Sequence, residues 1–460
     1  MANVGSEDSE LNWRQRKQLL ANSYQLARLY PFTESASSKI ARYVVGAGVW
    51  PRPRTSSKTW NKKASEKFKA HFDDARLCDV RGRETLPDLL KHLVSHVWLF
   101  AGDGGFQMLP GLRLNPIESD RIGPPAGRDS PPNEVFGVQY NDFGELTAFR
   151  IGRRAVSGVE RSELIPGADM IYAARWLLHR FDQVRGVPAF AQAFARLVVA
   201  GEITTAELAA MNAAAKLAWY QPIDVDITLG TNSDGSTAYP EMKLQDGMVV
   251  FGPKDSEPKM FTTNRPNDQF QPFLRSVWQE VASCLGISYE LLTGDYQQTN
   301  FSTIRGIRME DAAGFGEIQQ WLKRTVLDRL FYWSTSYWIK KGELPPAPKD
   351  FEGDAANYLV SWSFPRMPHI DPYKEHQGNR LSLENGGTFA DIYGDEVEEK
   401  FVEKSREIRR LKEIAAADGN TIDELFRPIT PTPKEAPQPD EPDDDEKDDA
   451  PKPIDPAVNG

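Results

Sequence analysis

Few sets of side chains in this 460-residue chain have the types and spacing that chemistry requires. Gly102-Asp103-Gly104-Gly105 is glycine-rich in the manner of a phosphate cradle. No Lys and Ser/Thr follow to hold phosphates, so a turn is the better reading. His92 and His96 stand four apart on a helical stretch and could supply two metal ligands. Nothing nearby supplies a third with any specificity, so ordinary packed or surface histidines fit better. Asp73-Asp74 and Glu310-Asp311 are adjacent carboxylates, which point to different faces of a helix and make no acid–base pair. Cys78 and Cys284 lack partner motifs and suit packed surroundings. Two cysteines so far apart exclude a disulfide-stapled scaffold and a cysteine-rich zinc module. The Walker A, GxGxxG, GxSxG and HExxH patterns do not occur. The residues therefore point to no catalysis, no cofactor and no metal.

The length allows two to four structural units at about 100–200 residues each. Eleven Trp and 23 Phe do not suit a wholly disordered chain. The net charge is −11, and its distribution is uneven. Residues 428–460 carry ten acids against three bases, a net −7, which leaves −4 for residues 1–427. That tail has nine Pro and almost no large apolar side chain, so it reads as disordered and solubilising. A mildly acidic body argues against tight DNA binding through phosphate neutralisation, and does not exclude a protein that lets DNA slide past without sticking. The first residues show no basic n-region or apolar h-region, and the longest apolar runs fall well short of the roughly 18 residues that span a bilayer. The expectation is a soluble, intracellular, mixed α+β chain.

The elements that would position these residues follow from periodicity. Residues 11–45 read as helical, as do 60–78 and 85–100, the last with Leu86, Leu89, Leu90, Leu93 and Val97 on one face. Residues 135–140 and 146–151, joined through Asn141-Asp142-Phe143-Gly144, read as a β-hairpin. Pro188 stands at a helix start, followed by closely packing alanines to about 200. Thr204 and Glu207 have capping-box spacing, which predicts a new helix to about Tyr220. Residues 222–265 read as extended, with Ile223–Leu229 alternating. Asn267 would cap a helix ended by Gly286. A long helix over 302–341 should bend near Gly314–Gly316. A strand at 359–364, a short helix from Asp371-Pro372 and a charged helix over 395–417 complete the pattern.

Several segments, in order, carry a resemblance. They are Arg14–Asn22, Val44–Val49, Ile117–Ile122, Ala148–Ile151, His179–Pro188, Leu285–Leu292, Gly294–Tyr296, Asn300–Arg305, Trp362–Met367 and Ile370–Glu375. Together they resemble the portal proteins of lambda-like tailed bacteriophages. The motif positions are Gln183, Arg185, Gly186, Asp295, Asn300, Ser302, Arg305, Pro365, Asp371 and Pro372. Thr303 departs from the family's second Ser, and the acidic tail and short N-terminal arm are further departures.

The resemblance implies a portal fold: an α/β wing, a two-helix stem, a small α/β clip and a helical crown, assembled as a ring. It divides the chain into N-terminal wing (1–180), first stem helix (181–200), clip (201–265), second stem helix (266–292), tunnel loop (293–301), long helix with wing strand (302–365), crown (366–427) and tail (428–460). It implies a homo-oligomeric ring, typically a dodecamer, at one capsid vertex in the virion, with assembly in the host cytoplasm. Double-stranded DNA passes through, driven in by the terminase. Implied partners are the terminase large subunit, the head–tail connector and the major capsid or scaffold protein, with no membrane. Gln297, Gln298, Thr299 and Asn300 would face the channel, uncharged and able to touch a phosphate backbone without trapping it. Arg305 and Arg308 could contact phosphate, or pair with Glu310 or Asp311. Two other classes remain at this stage: a metal-dependent nuclease using scattered carboxylates, and a head–tail adaptor, which should be much smaller.

Overall fold

The computed structural model describes residues 11–124, 131–155, 158–177, 181–223, 230–231, 237–238, 248–253, 270–297, 299–348, 360–367, 372–389 and 397–417. The chain divides into two units, residues 1–370 and 371–460.

The first helical stretch is two helices, Trp13–Leu29 (α1) and Pro31–Val44 (α2). The break follows from Pro31, which forces the residue before it out of the helical region; Tyr30 is extended, at φ −112° and ψ 116°. Asn12 and Gln15 form a capping box that opens α1. Strand β1 (Pro51–Pro53) is followed by α3 (Lys58–Phe72), capped by Ser57, which buries Trp60, Ala64, Phe68 and Phe72 at a spacing of four. A short turn, α4 (Ala75–Cys78), leads to α5 (Leu86–Ser95). The helix then widens into a π-helical turn over His96–Ala101, closed by Gly102 in the left-handed region at φ 81°.

At this point the structure corrects the turn expected at Gly102–Gly105. Asp103 opens a strand, β2 (Asp103–Leu109), which lies between β3 (Arg113–Glu118) and β8 (Met170–Ala174), antiparallel to both. Glycine is required here for close approach rather than for turning. A Cβ on Gly105 would lie 1.9 Å from the Ile171 carbonyl oxygen, at φ +158°.

The second sheet runs β4 (Glu134–Val135), β5 (Val138–Tyr140), β6 (Leu146–Ala155), β7 (Gly158–Pro166), in that order. The expected hairpin through Asn141–Gly144 is present, with Val138 opposite Phe149. The expected single strand over 135–140 is instead a tight hairpin. Phe136 and Gly137 both have positive φ, 46° and 89°, the signature of a two-residue mirror-image turn.

Helix α6 runs unbroken from Phe190 to Lys216, so Thr204 caps nothing. Its hydroxyl donates to the Ala200 carbonyl, the bond that a mid-helix Thr makes. The helix stops before Tyr220, where Trp219, Tyr220 and Pro222 favour extended backbone, and Leu217–Ile223 (β9) pairs in parallel with Met248–Pro253 (β12). Between them, Gly230–Thr231 (β10) pairs with Thr237–Ala238 (β11). Residues 224–229, the remainder of the expected alternating strand, and Asn267 lie outside the described residues.

Helix α7 (Phe270–Leu285) packs on α6 and ends, as expected, at Gly286 with φ +69°. The short α8 (Tyr289–Thr293) precedes α9 (Phe301–Leu322), a π-helical turn over Lys323–Leu327 and α10 (Asp328–Lys340). The irregularity thus falls at 323–327 and not at the glycines. Gly314 serves close packing, since a Cβ there would meet the Gly286 carbonyl oxygen at 3.3 Å. The π turn adds a residue and brings Leu322, Val326, Leu327, Leu330 and Phe331 all into the core. Strand β13 (Val360–Trp362) pairs with β1 across the chain.

The main core joins α2, α3, α5 and α10 around Phe68, Phe72, Phe331, Trp338 and Trp362. A smaller core beneath the four-stranded sheet holds Ile117, Ile122, Val138, Phe149, Ile151, Ile165 and Met170. The second unit contains α11 (Pro372–Glu384) and α12 (Val397–Ala417), and Phe389 meets Phe401 edge-on at 5.0 Å. No helix of the described residues is long and apolar enough to cross a membrane. The tail over 428–460 lies outside the described residues.

Phe331 touches Phe68 and Trp362, whereas its neighbour Tyr332 is 52% exposed. Phe331→Ala should cost about 3–5 kcal/mol in chemical denaturation. Tyr332→Ala should stay within about 0.5 kcal/mol of the parent protein.

Candidate functional site

Three of the segments that carry the resemblance meet at one buried point. Arg16 comes from α1, Ser119 follows β3, and Gln183, Arg185 and Gly186 come from the segment leading into α6. They close on Asp103, at the head of β2. The Arg185 guanidinium grips the Asp103 carboxylate by two bonds, Nε to Oδ2 at 2.7 Å and Nη2 to Oδ1 at 3.0 Å. Arg16 Nη2 reaches Oδ2 at 2.7 Å, and the Ser119 hydroxyl donates to Oδ1 at 2.6 Å. The Gly186 amide and the Tyr172 hydroxyl each donate to Oδ2 at 3.0 Å.

The remaining guanidinium donors tie loops together. Arg185 Nη1 donates to the carbonyls of Ile122 and Phe136, and Arg16 Nη1 donates to that of Gly186. Gln183 bridges the Leu177 amide and the Arg185 carbonyl. Gly186 has no alternative, because a Cβ there would lie 1.9 Å from the Gly102 carbonyl oxygen.

Asp103, Arg16 and Arg185 are all shielded from solvent. Burial alone would raise the Asp103 carboxyl, but the two guanidiniums outweigh it and hold the group well below the usual carboxylate range. Burial works against the Arg185 charge, and Asp103 reverses that and raises it. Tyr172 is raised by burial, then by Asp103, so it stays a neutral donor. Beside the cluster, His96 accepts the Ser119 amide through Nε2 at 3.2 Å. Burial lowers its pKa despite the acids nearby, and an acceptor nitrogen demands the neutral ring. The two guanidiniums and the Asp103 carboxylate pair with one another and with backbone groups of four segments, an arrangement that locks those segments together.

The loop over 293–301 is built differently. Ser288 caps α8 and accepts the Leu291 amide. The buried Asp311 carboxylate of α9 takes the Ser288 amide at 2.8 Å and hydroxyl at 2.6 Å, so burial, which raises its pKa, is opposed by these bonds. From there the loop bonds to itself. Thr293 Oγ1 donates to the Tyr289 carbonyl and accepts the Asp295 amide. Asp295 accepts the Gln297 amide and the Tyr289 hydroxyl. Thr299 donates twice to the Tyr296 carbonyl, once from its amide and once from its hydroxyl. Asn300 is the N-cap of α9 and accepts both the amide and the hydroxyl of Thr303. Thr303 therefore does the work of a Ser at that position. Lys39 and Ser35 of α2 hold the Leu291 and Leu292 carbonyls from the other side.

The site residues read from the sequence thus fall into separate places. Gln183, Arg185 and Gly186 are interior. Gln297 and Asn300 are exposed and Thr299 is half-buried; Gln298 lies outside the described residues. Ser302 and Arg305 are exposed on the first turns of α9, and Arg308 is half-buried beside Tyr296. Asp311, considered above as an ion-pair partner for the two arginines, is committed to Ser288. The Pro365 carbonyl accepts Gln319 Nε2, which also holds the Tyr43 carbonyl. Pro372 begins α11, and Asp371 lies outside the described residues. Tyr172 was not singled out in the sequence, and Asp103 was read there only as part of a glycine-rich turn. The signal for Asp103 was present, as an acid one residue beyond the apolar run Val97–Ala101 with only glycines on either side. Among the described residues, no group of three or more His, Cys, Asp or Glu stands together as a metal site requires.

Residues 1–319 match the phage portal proteins of the lambda family. The chain belongs to that family. It is similar to a probable portal protein of Halomonas phage phiHAP-1, at 23% identity over 174 residues. That match covers 36% of this chain and only 31% of the relative. It is also similar to a chain in the neck of a native GTA particle reconstructed with C12 symmetry, at 14% identity, covering 82% of this chain and 91% of the other with a TM-score of 0.41.

Asp103→Asn would leave two buried guanidiniums facing a neutral amide. It should cost about 3–5 kcal/mol, read by denaturant unfolding, whereas Tyr172→Phe should cost about 1 kcal/mol. The pH dependence has a definite sign. Burial lowers the pKa of His96 and also of His71, so below the ordinary value of 6.5 the unfolded chain binds protons that the folded one refuses. Stability should fall as pH drops from 7 towards 5. The Asp103 contribution persists through that range, since it is lost only as pH falls through its depressed value. Thermal melts across this range should show the loss, reduced in a His71→Gln, His96→Gln protein.

Proposed function

We propose that this chain is the subunit of a portal ring, a passive channel at one vertex of a phage capsid through which double-stranded DNA enters under an external motor and later leaves. Family membership over residues 1–319 carries the reading. Two features of the chain support it. The body is mildly acidic, which limits phosphate binding and hence friction on moving DNA. The loop over 293–301 offers Gln297 and Asn300 to its surroundings while its shape is fixed from within, so it can touch a backbone repeatedly without reordering.

On this reading the ring has twelve copies. The loop faces the bore, and α6 and α7 with the strands between them form the stem and clip that meet the terminase large subunit and then the head–tail connector. The second unit faces the capsid interior and its major capsid or scaffold protein. The role is structural, located in the virion, and no catalytic step is assigned to any residue.

Electron microscopy of the purified full-length protein tests this. Closed rings with a bore wide enough for a duplex are expected. Particles that stay monomeric across a broad range of concentration and salt would overturn the reading. Gln297→Ala and Thr299→Ala should leave ring formation unchanged and alter DNA packaging. Asn300→Ala should in addition cost about 1 kcal/mol of stability through its lost cap, seen in thermal melts.

A further inference from the structure

Helix α3 is basic in a chain whose net charge is −11. It holds Lys58, Lys62, Lys63, Lys67 and Lys69 against one acid, Glu66. The excess extends beyond the helix, since residues 11–100 carry seventeen Lys and Arg against seven Asp and Glu. Among the described residues, the acids that pair with the α3 lysines are Glu66, 3.7 Å from Lys62, and Glu343, 2.9 Å from Lys67. Both members of the Lys62–Glu66 pair are well exposed, so water screens their attraction. No acid of the described residues pairs with Lys58, Lys63 or Lys69.

Three of these lysines form a line. Lys58, Lys62 and Lys69 are all exposed. Their spacing of four and then seven residues puts them within about 40° of one another around the helix axis, over a length of about 16 Å. Ser65 lies on the same face and donates its hydroxyl to the Pro51 carbonyl at 2.8 Å, which seats that face beside β1. Lys69 Nζ stands 5.5 Å from the centre of the Trp50 ring. The aromatic residues of α3, Trp60, Phe68 and Phe72, are turned into the core, so the helix is held firmly from behind and exposes no large apolar side chain.

That composition selects among anionic partners. A protein partner needs an apolar or aromatic anchor, and protein interfaces are depleted in lysine. A single-stranded nucleic acid needs exposed aromatic rings on which its bases stack. A duplex backbone needs only cations set along a line. We infer that the Lys58–Lys62–Lys69 face of α3 is a sequence-independent contact for the phosphate backbone of double-stranded DNA. The inference rests on the reading above for the kind of polyphosphate this chain meets, and adds a contact carried by a different element from the loop over 293–301. The two surfaces differ in chemistry: the uncharged groups of the loop let a duplex pass, whereas the lysines hold one by displacing its counterions.

Fluorescence anisotropy of two labelled duplexes of unrelated sequence, titrated with the full-length protein over a range of salt, tests it. Both duplexes should bind alike. The Lys58→Gln, Lys62→Gln, Lys69→Gln variant should melt near the parent protein and lower the slope of log affinity against log salt by about 2 to 3. The Lys58→Arg, Lys62→Arg, Lys69→Arg variant should bind as the parent does. A control, Lys17→Gln, Lys340→Gln, Lys412→Gln, removes the same charge from exposed lysines of α1, α10 and α12 and should keep nearly the parent's slope. Equal losses in the two Gln variants would overturn the contact, because bulk charge would then account for the binding. A parent protein that binds neither duplex, or that binds poly-glutamate as tightly as DNA, would overturn it too. These results leave the ring reading standing, since microscopy of the parent protein decides that separately. A protein that forms no rings yet loses DNA through the α3 lysines would uphold the contact and overturn the ring.

Discussion

The Arg16–Asp103–Arg185 cluster is the constraint on which the first unit depends. One carboxylate takes bonds from two guanidiniums, a hydroxyl, a phenol and a backbone amide, all away from water. Ion pairs so deeply buried contribute little net stability against a well-packed apolar alternative, because their desolvation offsets most of their attraction. What they supply is exclusivity. Any arrangement that separates α1, the head of β2, the turn after β3 and the segment before α6 strands at least one charge in an apolar interior. Arg185 also holds the carbonyl of Phe136, which sits at positive φ, so the same side chain stabilises a turn that would otherwise be unfavourable.

This explains why the motif residues Gln183, Arg185 and Gly186 lie in the interior. The segment from Gln183 to Gly186 enters the interior, whereas the loop over 293–301 has Gln297 and Asn300 exposed and is held by bonds to its own backbone. Inside, paired charges tie distant segments together; at the surface, the loop presents uncharged polar groups.

Periodicity and turn chemistry made much of the fold legible. The hairpin through Asn141–Gly144, the stop at Gly286 and the helical stripe of α5 follow directly from local residue types. Failures came where a distant partner decided the outcome. Gly102–Gly105 looked like a turn because nothing local reveals that Ile171 lies against Gly105. Thr204 and Glu207 looked like a cap because their spacing alone does not reveal that α6, which packs on α7, continues through them. The π-helical turn over Lys323–Leu327 has no local signature, and its effect appears only in the core it fills. The site was legible as a family motif but not as an ion cluster, since pairing across 82 residues of sequence between Asp103 and Arg185 has no periodicity to reveal it.

Native-state hydrogen exchange of the full-length protein tests the central place of this cluster most directly. The amides of Gly186 and Ser119, which donate to Asp103 and His96, should exchange only through global unfolding, at the slowest rates in the first unit. Exchange of these two amides at rates like those of Gln297 or Thr299 would show that the cluster opens locally and that the fold does not depend on it.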